Sequence, residues 1–574
     1  MNAPRRTLSR RPTPSVAELF TPKLVTILRE GYGLADLKAD AIAGLTVAVV
    51  ALPLCMAIAI ASGLGPERGL YTGIVGGFLI SLLGGSRFQI GGPAGAFIVL
   101  VAAIVEREGY DGLVLATLFA GLILIAVGVL RLGTFIKYIP YPVTVGFTAG
   151  IAVIIVASQI HELLGLDLPK EPAAFLPKLT AMWDARATVS MPTIGVALIS
   201  LATILAVHRW RPAWPAFLVA VVVAAAIVTF LGLDVATLGS RFGGVPSELP
   251  HPALPAFAIE KLQPAMVNGA AIALLGAIES LLSAVVADGM TGRRHRSNCE
   301  LVAQGVANIG SVLFGGMPAT GLIARTATNI RAGARGPIAG ILHAVYLLLF
   351  VVLGARLISY VPLAALGAVL TVVAWNMAEK AEFWALLRSS LGDALVLLVT
   401  FGLTVFVDLS TGIAVGVVLG AFLFLHRISE SLEIAGGQEL VAEDQADFGP
   451  DRTSYDSAVA RSSDVMVYRI RGALFFGATA ALSTVLDRVG SHPKVFVLDF
   501  HEVPIIDSTA ANTLRGFLGR LRRAGTRVYF VGARQGVRRT LINAGLRPPT
   551  VAFADSVETV LQQSRDRAGK NASP

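Results

Sequence analysis

The chain has 574 residues, 54% of them hydrophobic and 15% charged, with a net charge of +9 and a mean hydropathy of +0.70. A soluble domain carries about 25% charged residues, so most of this chain lacks the polar surface to stay dissolved and belongs in a bilayer. Its two cysteines, Cys55 and Cys299, exclude a disulfide framework. Neither sits in a metal-ligand pattern, and both read as small apolar residues.

The charge is uneven. From Glu433 to Pro574, 33 of 142 residues are charged, against 52 of the first 432. The composition therefore predicts a short polar N-terminal tail (1–35), a membrane part (36–430), a linker (431–463), a soluble domain (464–566) and a polar end (567–574). No cleavable signal peptide is expected, because the first 40 residues mix Arg, Pro, Glu and Asp.

A membrane helix needs about 20 mostly apolar residues. Charge-free runs of that order occupy 41–66, 69–86, 88–105, 112–130, 138–161, 187–208 and 212–233. After a Pro-rich polar stretch come 262–278, 301–324, 336–355, 357–378, 394–407 (extended by 383–391) and 409–426. The run 301–324 contains Gly315-Gly316-Met317-Pro318, so it divides into two elements, the second continuing past Arg325. The expectation is fourteen segments: seven in 36–233 and seven in 262–430. Two halves of seven insert with opposite orientations. With Arg5, Arg6, Arg10 and Arg11 inside, the inside loops hold Arg87, Arg131, Lys137, Arg209, Arg211, Arg293, Arg294, Arg296, Arg331, Arg335, Lys380 and Arg427. The outside loops hold mainly acids, with Arg68, Arg107 and Lys170 as exceptions. This bias places both termini in the cytoplasm.

The halves echo each other. Ser81-Leu82-Leu83-Gly84-Gly85 leads to Gly92-Pro93-Ala94-Gly95, and Ser311-Val312-Leu313-Phe314-Gly315-Gly316 leads to Pro318-Ala319-Thr320-Gly321. Inverted repeats interrupted by Gly and Pro at matching positions point to a secondary transporter with a midplane site. The third and tenth helices are expected to open near Pro93 and Pro318, their N-termini facing each other. Each carries about half a positive charge, which together suits a small anion. Gly92, Pro93, Ala94, Gly95 and Ala96 face Pro318, Ala319, Thr320 and Gly321 in this reading. Thr320 adds a hydroxyl. Arg325 either adds attraction or serves as a surface or structural charge.

Glu279 lies among Leu274, Ile278, Leu281 and Leu282. An intramembrane carboxylate is costly and marks either a coupling group or a structural partner for a helix N-terminus or Arg325. Ser283, four residues on, shares its face. His343 reads as a packing histidine. The absence of a P-loop argues against ATP-driven pumping. Nothing in the pattern points to an enzyme, a cofactor, a metal site or nucleic-acid binding. The readings left are an anion transporter, a channel of the same build, or a membrane-anchored signalling protein.

Several motifs carry a family resemblance. Pro66-Glu67-Arg68-Gly69-Leu70-Tyr71, ending in Gly84-Gly85-Ser86-Arg87, resembles the SulP (sulfate permease) signature, with Arg68 where that signature has Tyr. Ala277-Ile278-Glu279-Ser280-Leu281-Leu282-Ser283 and Pro318-Ala319-Thr320 with Ile323-Ala324-Arg325-Thr326 look like that family's eighth and tenth helices. The resemblance implies a seven-plus-seven inverted repeat with core and gate domains, a homodimer in an inner (plasma) membrane, and an anion held between helices three and ten. It implies cation coupling at Glu279, with Glu suggesting H+ and Na+ as the alternative. Pro53-Leu54-Cys55-Met56-Ala57-Ile58-Ala59 departs from the Pro-Gln run of many sulfate permeases and argues against sulfate. With Trp375-Asn376-Met377 it looks closer to bacterial aerobic C4-dicarboxylate transporters, and Na+-coupled bicarbonate uptake or anion exchange is a further alternative. In the tail, strand-like runs at 465–470, 495–500, 528–531 and 551–553 alternate with helical 478–489 and 510–523. Val503-Pro504-Ile505-Ile506-Asp507-Ser508-Thr509 resembles the loop of STAS domains, which implies a regulatory site or a docking point for a cytoplasmic partner. Ser508 and Thr509 also suit a helix cap.

Overall fold

A computed structural model describes residues 16–134, 140–168, 172, 174–211, 214–244, 246, 252, 259–430, 433–436, 465–475, 493–523 and 525–570. Arg5, Arg6, Arg10, Arg11, Lys137, Lys170, the expected helix 478–489 and most of the linker 431–463 lie outside the described residues. Two compact units emerge, Met1–Gly420 and Ala421–Pro574.

Among the described residues eight helices are long and apolar enough to cross a membrane, the last of them, Leu409–Ile428, running past the boundary at Gly420, and Ala216–Leu231 and Leu391–Phe406 are shorter apolar helices. The first long one, Leu34–Ala61, keeps Pro53 in its interior. Neighbouring elements re-satisfy the backbone groups that such a proline frees. The expected second span is Pro66–Tyr71, a π-helical turn at Thr72–Gly76, and Gly77–Leu83. π-turns gather at functional sites, and this one touches the opposite half. Thr72 Oγ1 donates to Arg68 O at 2.7 Å and accepts from Met317 N at 2.7 Å. The third and fourth expected spans run together as Ile98–Val129, broken at Gly109, whose φ of 73° only glycine adopts freely.

Two expectations need correction. The stretch 383–407 is not one extended helix. It is Lys380–Leu387 followed by Leu391–Phe406, because Ser390 caps the second helix by accepting from Asp393 N at 3.1 Å. The segment before 187 also contains an unexpected helix, Phe175–Asp184.

The spans pack in two groups. Leu34–Ala61, Ile98–Val129, Leu262–Thr291, Ser297–Leu313 and Ile338–Ile358 form one. Tyr141–Leu164, Met191–Trp210, Ala216–Leu231, Leu363–Met377 and Leu391–Phe406 form the other. Close approach is secured by small residues, as expected between membrane helices. A Cβ on Gly269 would sit 2.7 Å from Ala116 O of the Ile98–Val129 helix.

The second unit is α/β. Its strands run Glu433–Gly436, Val465–Arg471, Val495–Glu502, Arg527–Val531 and Ala552–Ala554 in spatial order, the first pairing antiparallel and the others parallel. The helices Ser508–Arg523, Gln535–Asn543 and Val557–Lys570 follow three of these strands. Phe496, Phe500, Phe530, Leu514 and Leu541 are fully buried in its core. At the edge of that core sits a buried carboxylate, Asp499. Burial works to raise its pKa, but bonds from His501 N, the His501 ring and Arg469 outweigh this and hold it below the usual carboxylate value. A group whose folded pKa is depressed stabilises above its unfolded pKa and loses that contribution as pH falls through the folded value. Asp499→Asn is therefore expected to cost the second unit about 1.5–3 kcal/mol at neutral pH. Thermal melting at pH 7 and pH 3 should show the gap between variant and parent narrowing with acid.

Candidate functional site

The two interruption motifs meet. Gly91–Pro93 and Ala319–Gly321 form a two-stranded antiparallel sheet, Gly91 opposite Gly321, Gly92 opposite Thr320 and Pro93 opposite Ala319. Pro318, Ala94 and Ala96 are buried beside it, and Gly95 is half-buried. The helices do not open at the prolines. A 3-10 turn starts at Gly95 and leads into the Ile98 helix, and the partner helix starts at Ile323. The intervening residues are extended because two interrupted segments in an apolar medium satisfy their backbones by pairing with each other. Ile90 is tied in as well, donating to Thr326 Oγ1 at 3.1 Å and accepting from Leu322 N at 2.9 Å. The first turns beyond the strands still carry N–H groups that have no intrahelical partner.

Arg325 is 4% exposed, so its guanidinium is enclosed by protein. Among the described residues neither terminal guanidinium nitrogen meets a nitrogen or oxygen partner, and the Cys55 thiol stands beside the guanidinium. Nη1 lies 2.8 Å from where a Cβ on Gly92 would stand. The Cys55 thiol and the His343 ring are its electrostatic neighbours. His343 is itself fully buried, with neither ring nitrogen bonded among the described residues.

Thr320 is placed differently from expectation. Its hydroxyl proton goes to Gly276 O at 3.0 Å, which ties the strand pair to the Leu262–Thr291 helix. Glu279 lies one turn beyond Gly276. It is half-buried, and no hydrogen bond or ion pair reaches it among the described residues. The charge acting on it is another carboxylate, Glu379. Ser283 is fully buried, and its hydroxyl donates to Thr326 Oγ1 at 3.2 Å rather than to Glu279.

The sequence reading passed over a polar network behind the strands. Gln89 Nε2 donates to Ser280 Oγ at 2.9 Å. Glu300, fully buried, accepts from Ser86 N at 3.0 Å, Gln304 Nε2 at 2.9 Å and Ser280 Oγ at 3.4 Å. Asn308 brackets Ala319, donating to its carbonyl at 2.8 Å and accepting from its N–H at 3.0 Å. Asp40 is a further buried carboxylate, accepting from Tyr32 Oη at 2.6 Å and from Gly336 N at 3.1 Å. The signal was available: Glu300, Gln304 and Asn308 recur every four residues in a segment read only for its apolar residues. In the second unit, the cap of the Ser508–Arg523 helix is Asp507, whose Oδ1 accepts from Ala510 N at 2.8 Å. Ser508 and Thr509 are exposed in its first turn. No group of three or more His, Cys, Asp or Glu side chains among the described residues is arranged to hold a metal ion.

Comparison with known proteins identifies the family and the fold. The sulfate permease family model aligns with residues 37–400 and the STAS domain model with residues 457–560. A putative sulfate transporter of Bacillus subtilis, YvdB, is 40% identical over 519 residues, covering 90% of this chain and 95% of the relative. The bicarbonate transporter BicA of Synechocystis is 31% identical, covering 88% and 90%. In structure, the murine Slc26a9 anion transporter in its inward-facing state superposes with a TM-score of 0.82 at 16% identity, covering 98% of this chain and 97% of that one. The relatives are named as transporters and none of these as an enzyme, and the fold is theirs: this chain belongs to the sulfate permease family of anion transporters and carries a C-terminal STAS domain.

Proposed function

We propose that the chain is a secondary-active transporter that binds one small anion between the Gly92–Ala96 and Pro318–Gly321 segments, with Arg325 as the fixed positive charge. The observation that carries this reading is the buried guanidinium of Arg325, turned toward Gly92 and, among the described residues, without any carboxylate or other nitrogen or oxygen partner at its terminal nitrogens. A buried charge left unpaired is costly, and an anion arriving at the strand pair supplies the missing partner. The first-turn N–H groups add to the attraction. Glu279 carries the coupling proton, and Ser283 and Thr326 hold the helix pair in register. The group containing the strand pair moves as the core against the other group as the gate. Fourteen segments in two inverted halves, 36–233 and 262–430, form a homodimer in the inner membrane with both termini cytoplasmic. Residues 464–566 form the regulatory STAS domain, with Asp507, Ser508 and Thr509 facing a cytoplasmic partner.

The apolar Pro53-Leu54-Cys55 run favours a C4-dicarboxylate over sulfate, because it offers no polar side chain to a compact, strongly hydrated dianion. Bicarbonate is the second reading, favoured by the likeness to BicA. Uptake of succinate, sulfate and bicarbonate into proteoliposomes, each with and without a pH gradient and a sodium gradient, decides among them. Succinate uptake driven by acid outside is the expected result.

Gly92 supplies a check on the geometry. In Gly92→Ala the new methyl carbon would press on the Arg325 guanidinium at 2.8 Å, at a φ of 156° that residues with a side chain rarely adopt. We expect a correctly inserted protein with uptake affinity lowered about tenfold, the value of one hydrogen bond to a charged group. Concentration dependence of uptake, with detergent-solution monodispersity as the folding control, reads this directly.

A further inference from the structure

A cluster of charges fastens the joint between the two groups of spans. Residues 359–362 connect Ile338–Ile358, in the group with the strand pair, to Leu363–Met377 in the other. The short helix Leu238–Phe242 lies along that joint. Leu238 N donates to Val361 O at 2.9 Å, Gly239 N donates to Ser359 O at 2.8 Å, and Ala236 O accepts from Leu363 N at 3.0 Å. A cap fixes the helix, Ser240 N donating to Thr237 Oγ1 at 3.2 Å. The helix is tied in turn to the end of Tyr141–Leu164, where Arg241 Nη1 donates to Glu162 Oε1 at 2.8 Å. Beside the joint the two groups stand apart. A cavity of about 690 Å³ is lined by Pro53 and Met56 from one, Val221 and Ala225 from the other, and Tyr360 and Val361 of the joint. Close packing would hold such a seam rigid; here the polar ties take that part.

His161 sets the state of these ties. Its Nδ1 lies 2.9 Å from Ser158 O and its Nε2 lies 3.0 Å from Glu162 Oε1. A carbonyl oxygen and a carboxylate oxygen only accept, so each ring nitrogen must carry a hydrogen. Arg241 donates to the same Glu162 oxygen and keeps that carboxylate ionised, so the extra proton belongs to the imidazole. Without it, Nε2 would turn a lone pair on the oxygen that Arg241 holds, and the three side chains could not keep this arrangement. The charges acting on Glu162 are those of His161 and Arg241. Of the elements packed on this span, Phe175–Asp184 brings Lys178 and Asp184, Leu363–Met377 brings no charge, and Ile98–Val129 carries Glu106, Arg107, Glu108 and Asp111 about its break. Met191–Trp210 and Leu391–Phe406 carry His208, Arg209 and Asp393 at their far ends, since Gly165 meets Ser190 and Gly146 meets Leu397. Glu379 and Glu382 act on Tyr141, at the other end of the span.

We propose that His161, Glu162 and Arg241 form a proton-operated clasp that holds the joint between the two groups in the conformation described here. With His161 charged, Glu162 is pinned between two cations, and Arg241 keeps Leu238–Phe242 against the joint. Loss of the proton frees the joint and shifts the balance between conformations. The clasp is closed in acid and opens as pH rises. In the orientation proposed above, on which this point alone rests, it faces the outside medium.

The test is hydrogen exchange, read by mass spectrometry on the full chain in detergent. Both faces then meet one buffer, so the result depends neither on orientation nor on the anion carried. Peptides covering 236–243 and 359–363 are compared at about pH 6 and about pH 8, either side of the ordinary histidine range, after correction for intrinsic exchange. In the parent, protection of both should fall about tenfold at the higher pH, the value of one hydrogen bond to a charged group. His161→Gln should abolish that fall, because its side chain does not titrate. Arg241→Gln should hold both peptides at the parent's high-pH level throughout, while Leu262–Thr291 stays as protected as in the parent and so reports an intact fold. Equal protection of the parent at the two pH values overturns the clasp with no variant needed. A pH response that survives in His161→Gln belongs to another group and equally overturns it.

Discussion

Arg325→Gln is expected to raise the anion concentration for half-maximal uptake about 10- to 150-fold, equivalent to the 1.5–3 kcal/mol of hydrogen bonds to a charged group. Because no nitrogen or oxygen of the described residues is bonded to the terminal nitrogens of Arg325, the substitution strips only the weak Cys55 thiol contact from another buried group. Folded stability should therefore stay level or rise, as happens when an uncompensated buried charge is removed. That combination separates a ligand site from a structural charge, whose loss would lower stability and affinity together. Arg325→Lys should recover part of the affinity, since a point charge replaces a planar fork. Concentration-dependent uptake and thermal melting of the purified protein measure the two quantities. Unchanged affinity in Arg325→Gln would sink the assignment of this residue to the anion.

Glu279→Gln is expected to keep anion binding and lose proton-driven accumulation. A dianion entering against 100 mV, negative inside, costs about 4.6 kcal/mol, which co-moving protons offset. A gradient of one pH unit supplies about 1.4 kcal/mol per proton, enough for about tenfold accumulation. Glu279 is well placed to carry such a proton. It lies one turn beyond Gly276, which Thr320 anchors to the strand pair, and no cation of the chain is bonded to it among the described residues. The buried carboxylates of the membrane part are engaged, Glu162 by Arg241. Glu300 accepts three hydrogen bonds and Asp40 is held by Tyr32 and backbone N–H groups. Accumulation in proteoliposomes at acidic outside pH should fall in the variant to its level without a gradient, while counterflow exchange persists. Native accumulation in Glu279→Gln would make the residue structural, and accumulation following sodium would replace the proton.

Much of the membrane architecture was legible in the chain because hydropathy is a local property. Apolar runs long enough to span a bilayer marked the long helices, and Gly315-Gly316-Met317-Pro318 marked the break between Ser297–Leu313 and Ile323–Arg331. The strand-like runs of the tail reappear as parallel strands for the same reason. Boundaries failed where a single polar side chain decided them. Ser390 splits an apolar stretch by capping a new helix, and Asp507 takes the cap expected of Ser508 or Thr509.

By itself, then, the sequence determined the membrane character, the duplicated break motifs and the residue types available at them. Tertiary structure alone decided what those residues face. Gly92 meets Thr320 across a two-stranded sheet, and Ile90 reaches Thr326 over 236 positions. Thr320 turned its proton to Gly276, Ser283 turned to Thr326, and Arg325 was left buried with no nitrogen or oxygen partner at its terminal nitrogens among the described residues. A hydroxyl or guanidinium has several possible partners of equal chemistry, and the choice rests on which backbones are brought within about 3 Å. That distance is set by the packing of whole helices on one another, to which every small residue along their contacts contributes, and no local pattern in the chain carries it.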